Sequence, residues 1–247
     1  MHFIIFDLEF NQDIFSSYNS EGKISHYPFE IIQIGAIKLD AECNVAATFN
    51  RYIRPTFYSE VNPFITELTG ITTEQLLSEE PFPEIYKAFT EYIAGTDSVF
   101  CTWGMADMKG LIKNVADHQL NDWLLPRMYI DLQPYASKYL KLPRKNLPGL
   151  QRAVELLNIP ITYTFHNAFH DAIYTAEVFK KIYHPSIQPK RYAPTPMTIR
   201  PKQRTREIDT DKLLQQFAKM YGREMTEEEQ GIIKLAYKMG RTNQFLK

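Results

Sequence analysis

Phe3-Ile4-Ile5-Phe6-Asp7-Leu8-Glu9 is the stretch on which the reading of this 247-residue chain turns. Four consecutive apolar residues without polar alternation are the pattern of a strand buried on both faces at the centre of a sheet. The run stops on acids. A carboxylate at the end of such a strand is costly unless water or a cation meets it. Asp7 and Glu9 are two apart, so on a strand both point to one side and can reach one ion. Oxygen-only ligands suit Mg²⁺ or Mn²⁺. Solvated strand-end acids are the equally good ordinary reading of this pair alone.

Outward from that strand, Ile31 to Leu39 reads as a second strand and Ala46 to Ile53 as a third, stopped by Pro55. The three fit an antiparallel meander. Thr72 and Thr73 precede Glu74-Gln75 as candidate helix caps. Pro81 and Pro83 open a helix over Glu84 to Ala94, with Ile85, Phe89, Tyr92 and Ile93 as its apolar stripe and Gly95 as its stop. Ser98 to Trp103 is a further buried strand, punctuated by Gly104, and a helix follows over 106–118. A short strand from Arg127 to Leu132 precedes helices over Gln133–Leu140, Leu147–Leu157 and Ala168–Ile182. Strands alternating with helices after a meander predict an α/β domain with a mixed sheet. Trp123, Tyr135 and Tyr139 are assigned to its core.

Composition narrows the class. Hydrophobic residues make up 44% and charged residues 23%, which excludes disorder of the whole chain. No apolar run approaches the ~18 residues of a membrane helix, and no basic leader precedes the first strand. Cys43 and Cys101 lie far apart and form no CxxC pair, so neither a zinc site nor a disulfide framework is expected, and a cytoplasmic location follows as the default. No Gly-rich phosphate loop occurs, so no nucleotide cofactor is expected.

The net charge of −1 hides an asymmetry. Residues 1–184 hold 15 Lys+Arg and 22 Asp+Glu, a net of −7, whereas residues 185–247 hold 13 and 7, a net of +6. Within 185–206 there are five prolines and six basic residues (Lys190, Arg191, Arg200, Lys202, Arg204, Arg206) and no acid, a linker composition. Asp209 or Thr210 then caps a helix carrying Leu213, Phe217 and Met220, and Thr226 with Glu229 matches a capping box ahead of Ile232, Ile233, Ala236 and Met239. The expected organisation is the α/β domain over 1–184, a basic Pro-rich linker over 185–206 and a helical hairpin over 207–247. A solubilising basic tail is the ordinary alternative.

Two more acidic positions sit at element ends. Asp107, in Trp103-Gly104-Met105-Ala106-Asp107, opens a helix directly after a buried strand. An acid favoured by the helix dipole would look the same. His166-Asn167-Ala168-Phe169-His170-Asp171 opens the helix ending at Ile182, with His166 in the preceding loop and Asp171 in the first turns. His170 is a rival to His166. Its place beside Asp171 turns it to another side of the helix, so His166 is preferred as the chemical histidine.

The order D-x-E, then D a hundred residues on, then H-x-A-x-x-D resembles the DEDDh family of 3′–5′ exonucleases, the ribonuclease T and DNA polymerase III epsilon type. Phe64-Ile65-Thr66-Glu67-Leu68-Thr69-Gly70-Ile71-Thr72 and Glu30-Ile31-Ile32-Gln33-Ile34-Gly35-Ala36 resemble two further stretches of that family, and the first brings the chain nearest to its Eri-like and KapD-like groups. The resemblance covers about residues 3–184. Asn11 departs from the threonine that many members carry, and Met105-Ala106 replaces a more polar pair. Neither removes an acid.

The resemblance implies a ribonuclease H-like fold with a five-stranded mixed sheet and a metal-dependent 3′–5′ exonuclease acting on single-stranded RNA or DNA to release nucleoside 5′-monophosphates. It implies two divalent ions held by Asp7, Glu9, Asp107 and Asp171, with Asp7 shared, and His166 as general base. Leu8, Phe10 and Leu68 are candidates to pack on the terminal base and Thr69 to meet its sugar, against the ordinary alternative that all four line core or cleft. A non-catalytic nucleic-acid-binding module on the same fold is the competing reading, and a phosphodiesterase limited to short oligonucleotides is a third. The intact acid set speaks against the binding module, because clustered acids repel phosphate.

Overall fold

Strand β1 (His2–Asn11) forms because its residues are apolar toward both faces, and it occupies the middle of the sheet. On one side it pairs antiparallel with β2 (Glu30–Leu39), which pairs antiparallel with β3 (Val45–Tyr52). On the other side it pairs parallel with β4 (Ser98–Thr102), and β4 pairs parallel with β5 (Met128–Asp131). A two-residue strand, β6 (Lys190–Arg191), closes the far edge, so the sheet order is β3-β2-β1-β4-β5-β6. The expected five strands are present, and β6 is an addition too short to show a sequence period. The computed structural model describes residues 1–12, 29–94, 97–143, 147–193, 210–227 and 229–234.

Helices cover both faces of the sheet. Phe3 and Ile5 point to one face, where they meet α5 (Leu132–Tyr139), α6 (Leu150–Leu156) and α7 (Ala168–Ile182) around Val99, Ile130, Val154 and Phe179. Ile4, Phe6 and Leu8 point to the other, against α3 (Phe82–Ile93) and α4 (Ala106–Asp117) around Phe89, Phe100, Met108 and Leu111. A smaller core of Ile32, Val61, Ile65, Ile71 and Leu76 lies under α1 (Pro63–Thr69) and α2 (Thr73–Leu76). Of the two candidate caps Thr72 and Thr73, Thr72 caps α2, in a reciprocal capping box with Gln75. Among the expected core aromatics, Tyr135 packs on the α7 side, but Trp123 is 69% exposed and Tyr139 56% exposed. Tyr139 ends α5 and Trp123 lies in the turn before β5, where no layer among the described residues covers them.

One mismatch of lengths creates the site. The pairing of β1 with β4 stops at Ile5 and Cys101, while β1 continues on β2 to Asn11. Asp7 and Glu9 therefore project from the central strand beyond the reach of β4. Beyond Thr102 the chain turns at Gly104, whose φ of 88° is the left-handed region that glycine tolerates. The Gly104 N–H donates to Asp131 Oδ1 at 3.2 Å, and the same carboxylate caps α5. This turn starts α4 with Asp107 in its first turn.

The chain divides into two units, Met1–Ala193 and Pro194–Lys247. Residues 185–193 belong to the first, where Ile187 is buried and β6 pairs with β5. From 194 to 209 the expected linker lies outside the described residues, as does the hairpin from 235 onward. In the second unit α8 (Thr210–Tyr221) ends at Gly222, with φ of 67°. Thr226 and Glu229 form the expected reciprocal cap, and Arg223 pairs with Glu229 at 2.6 Å. No helix among the described residues is long and apolar enough to cross a membrane.

Candidate active site

Asp7 and Glu9 share the sheet face on which α7 packs, and Asp171 lies in the first turn of α7. One carboxylate oxygen from each of Asp7, Glu9 and Asp171 lies within 4.8 Å of the others. Asp107, 6% exposed, approaches from α4 and stands outside that set of three, although its charge acts on both Asp7 and Glu9. The four acids expected from the sequence thus converge from three elements.

Their electrostatics are unfavourable without a cation. Burial, then the charges of Asp107, Asp171 and Glu9, raise Asp7 well above the ordinary carboxylate range. Burial, then Asp171 and Asp107, push Glu9 up to about 8. Burial raises Asp107 to about 7, against hydrogen bonds from its own and the Leu8 backbone N–H. Burial raises Asp171 to about 6, opposed by the His166 N–H and the charges of His166 and His170. Asp171 Oδ1 is buried and has no hydrogen-bond partner among the described residues. A buried acceptor without a donor is costly, and a cation satisfies it. The acid cluster is a divalent-metal site on these grounds, with oxygen donors throughout.

Packing of α7 onto the sheet brings Asp171 to that place. A Cβ on Gly35, the residue opposite Asp7 in β2, would lie 2.2 Å from the Ala168 carbonyl carbon, so only glycine admits the helix end. Gln33, opposite Glu9 and fully buried, accepts from the Ala168 N–H at 3.1 Å and donates to Asn167 Oδ1 and Asn50 Oδ1 at 3.3 and 3.0 Å. Asn167 caps α7 through the Phe169 and His170 N–H groups. Gln33, Gly35 and Asn167 carry no role in the sequence reading beyond their place in the quoted stretches. A lone Gln in the apolar run Ile31 to Ile37 was the available signal, because a buried amide demands partners.

His166 sits in the exposed loop before α7 with φ of 62°, and its backbone N–H donates to Asp171 Oδ2 at 3.2 Å. His170 is not turned to another side of the helix as its place beside Asp171 suggests: like Asp171 it faces the loop before α7, with Nδ1 3.1 Å from the Thr164 carbonyl and its ring stacked on Tyr163 at 4.7 Å.

The candidate pocket residues are distributed. Leu8 is buried in the core against α3 and α4, 4% exposed. Phe10 is half-buried beside Phe29, and its ring lies where a Cβ on Gly110 would come within 2.4 Å. Leu68, on α1, is 42% exposed. The half-buried Thr69 hydroxyl donates to Ile65 O and accepts from the Ile71 N–H. Asn11 is 1% exposed, and its amide donates to Glu60 O and accepts from the Asn62 N–H, each at 2.9 Å. Asn62 caps α1, so the end of β1 anchors the helix carrying Leu68 and Thr69.

Comparisons with known proteins place the first unit among exonucleases. The exonuclease family model RNase T matches residues 4–179. The probable 3′–5′ exonuclease KapD of Bacillus subtilis (strain 168) is 29% identical over 211 residues, covering 79% of this chain and 90% of KapD. The 3′–5′ exoribonuclease 1 of Rattus norvegicus is 28% identical over 134 residues, covering 50% of this chain and only 38% of that protein. In fold, the nuclease domain of 3′hExo, a DEDDh family member solved bound to rAMP, superposes with a TM-score of 0.65 at 21% identity, covering 78% of this chain and 97% of that one. With its acids gathered at the end of the central strand and the family model spanning most of its length, the chain belongs to the RNase T family of exonucleases, is of the DEDDh type, and is a 3′–5′ exonuclease.

Proposed function

We propose that the enzyme uses two divalent ions, Mg²⁺ or Mn²⁺, to remove nucleoside 5′-monophosphates from the 3′ end of single-stranded RNA or DNA. The convergence of Asp7, Glu9 and Asp171 oxygens within 4.8 Å carries this reading. Asp7, Glu9 and Asp171 would hold one ion, and Asp107, outside the set of three, would help Asp7 hold the other. When bound, the ions offset the negative charge that builds on the phosphoryl and leaving oxygens.

His166 takes the proton of the attacking water at an imidazole nitrogen. Its exposure supports the role, because water reaches it directly. His170 is the weaker candidate, since Nδ1 is already committed to Thr164. Leu68 and Thr69 on α1, with Phe10 on β1, form the wall against which the terminal nucleotide rests; Leu8, 4% exposed and packed in the core against α3 and α4, offers it no surface. Apolar and aromatic surfaces of this kind tolerate every base, which suits sequential trimming. The rAMP bound to 3′hExo, a nucleoside monophosphate, supports a site of that size.

Incubation of the protein with 5′-labelled single-stranded RNA and DNA, in Mn²⁺ and in EDTA, tests the proposal. A ladder shortening one nucleotide at a time, abolished by EDTA, is the expected result. Internal cuts, or trimming that survives EDTA, would overturn it.

A further inference from the structure

Tyr174 is 1% exposed within α7, yet its hydroxyl reaches the loop that carries His166. It accepts the Thr162 N–H at 3.0 Å and the Tyr163 N–H at 2.7 Å, and it donates to the Tyr163 carbonyl at 2.8 Å. A phenol offers one donor and two acceptor positions, so its whole capacity is spent on two adjacent residues. The Phe165 ring stacks on the Tyr174 ring at 4.7 Å.

Asn167, His170, Asp171 and Tyr174 follow the three- and four-residue spacing that lines one side of a helix. His170 holds Thr164, Asp171 holds the His166 N–H, and Tyr174 holds residues 162 and 163. The loop has no helix or strand of its own, and it ends on a histidine in left-handed conformation. Its geometry is therefore set by α7.

We infer that Tyr174 is a positioning residue for His166, acting through the backbone of residues 162–165; the inference rests on the reading of His166 as general base. Tyr174 touches no reacting group. It limits how far the imidazole wanders from the acid cluster, and misplacement by about 1 Å can cost about 10²-fold in rate.

Tyr174→Phe tests this, because it keeps the ring in the core and removes only the hydroxyl. Turnover on a short oligonucleotide should fall about 10- to 100-fold, with KM and calorimetric Mn²⁺ affinity unchanged. A double variant separates positioning from general stabilisation. If Tyr174 acts through His166, Tyr174→Phe combined with His166→Ala turns over no more slowly than His166→Ala alone. Wild-type turnover in Tyr174→Phe, or a double variant slower by the full factor of the single one, would overturn the role. Wild-type turnover in His166→Ala would remove the general-base reading and the inference with it. Should Tyr174→Phe fail to fold, Thr162→Pro deletes one of the same bonds from an exposed position and is expected to show the same non-additivity with His166→Ala.

Discussion

The backbone N–H of His166 donates to Asp171 Oδ2 at 3.2 Å, which ties the proposed base to a candidate metal ligand while leaving the imidazole exposed. The bond is to the main chain, so removing the imidazole leaves it intact. His166→Ala should therefore fold and bind Mn²⁺ normally, yet lose roughly 10²–10⁴-fold in turnover, the scale of a lost general base. His170→Ala removes the tie to Thr164 and a ring stacked on Tyr163, and should lose much less. Steady-state kinetics on a labelled oligonucleotide check this. An exchange of the two phenotypes would assign the chemistry to His170.

Asp7 is the acid that every other member of the cluster acts on. Asp7→Ala should abolish Mn²⁺ binding in calorimetry and activity with it. Asp107→Ala, which leaves the set of three intact, should keep one binding event of the two. Two undiminished binding events in Asp7→Ala would exclude the proposed shared ligand.

The acid cluster also sets a pH dependence of stability. In an unfolded chain these carboxyls titrate near 3.8 for Asp and 4.5 for Glu, whereas in the metal-free fold Asp171 rises to about 6, Asp107 to about 7 and Glu9 to about 8. The folded state thus holds these protons longer. Its stability contribution is full below the unfolded values and is lost as pH climbs through the folded ones. In EDTA, Tm should fall from about pH 5 to about pH 8.5, and Asp7→Asn should raise Tm at the alkaline end. Saturating Mn²⁺ should remove most of the slope, because bound metal favours the ionised acids. A Tm that rises with pH in EDTA would contradict the raised carboxyls.

Gly35 and Gly110 make a matched pair for testing what holds α7. A methyl at Gly35 meets the Ala168 and Phe169 backbone at 2.2 Å, and backbone cannot rotate away. Gly35→Ala should cost at least the ~1–3 kcal/mol usual for overpacking and lower activity in whatever protein folds, since Asp171 is displaced from Asp7. At Gly110 the obstacle is the Phe10 ring at 2.4 Å, a half-buried side chain that can swing. There a gain of about 0.8–1 kcal/mol in helix propensity offsets part of the clash. Denaturant melts should rank Gly35→Ala well below Gly110→Ala.

What could be read in the chain beforehand follows from how local each signal is. The apolar run ending at Asp7 and the period of Ala168 to Ile182 depend on neighbours in sequence, and β1 and α7 appear where those patterns put them. Helix α1 is seven residues long and Pro-initiated, too short to show a period, so only its family-like stretch marks it. Asp7, Glu9, Asp107 and Asp171 were legible because acids at the ends of apolar elements are anomalous in themselves. Gln33, Gly35 and Tyr174 were not, because their partners lie on elements far away in sequence or on a loop whose path the sequence does not reveal. A glycine opposite an aspartate gains meaning only when a helix end is seen to rest on it.

The basic tail is the remaining expectation, and it has a thermodynamic signature. Residues 1–184 carry a net −7, which repels a polyanion at long range, and the proposed ions offset charge only at the scissile phosphate. The segment 194–247 carries 11 Lys+Arg against 7 Asp+Glu, with Arg200, Lys202, Arg204 and Arg206 free of any acid between them. If that segment holds the strand upstream of the cleaved end, each phosphate it neutralises adds about −0.7 to the slope of log affinity against log salt. The cut belongs after Ala193 rather than after His184, because Ile187 and β6 pack within the first unit. A protein ending at Ala193 should bind long oligonucleotides more weakly, with a flatter salt slope, and should hydrolyse a dinucleotide at nearly the full rate. The comparison needs an inactive Asp7→Asn background in Ca²⁺ so that the oligonucleotide survives the titration. Equal salt slopes for the full and shortened proteins would instead assign the tail to packing or to a protein partner.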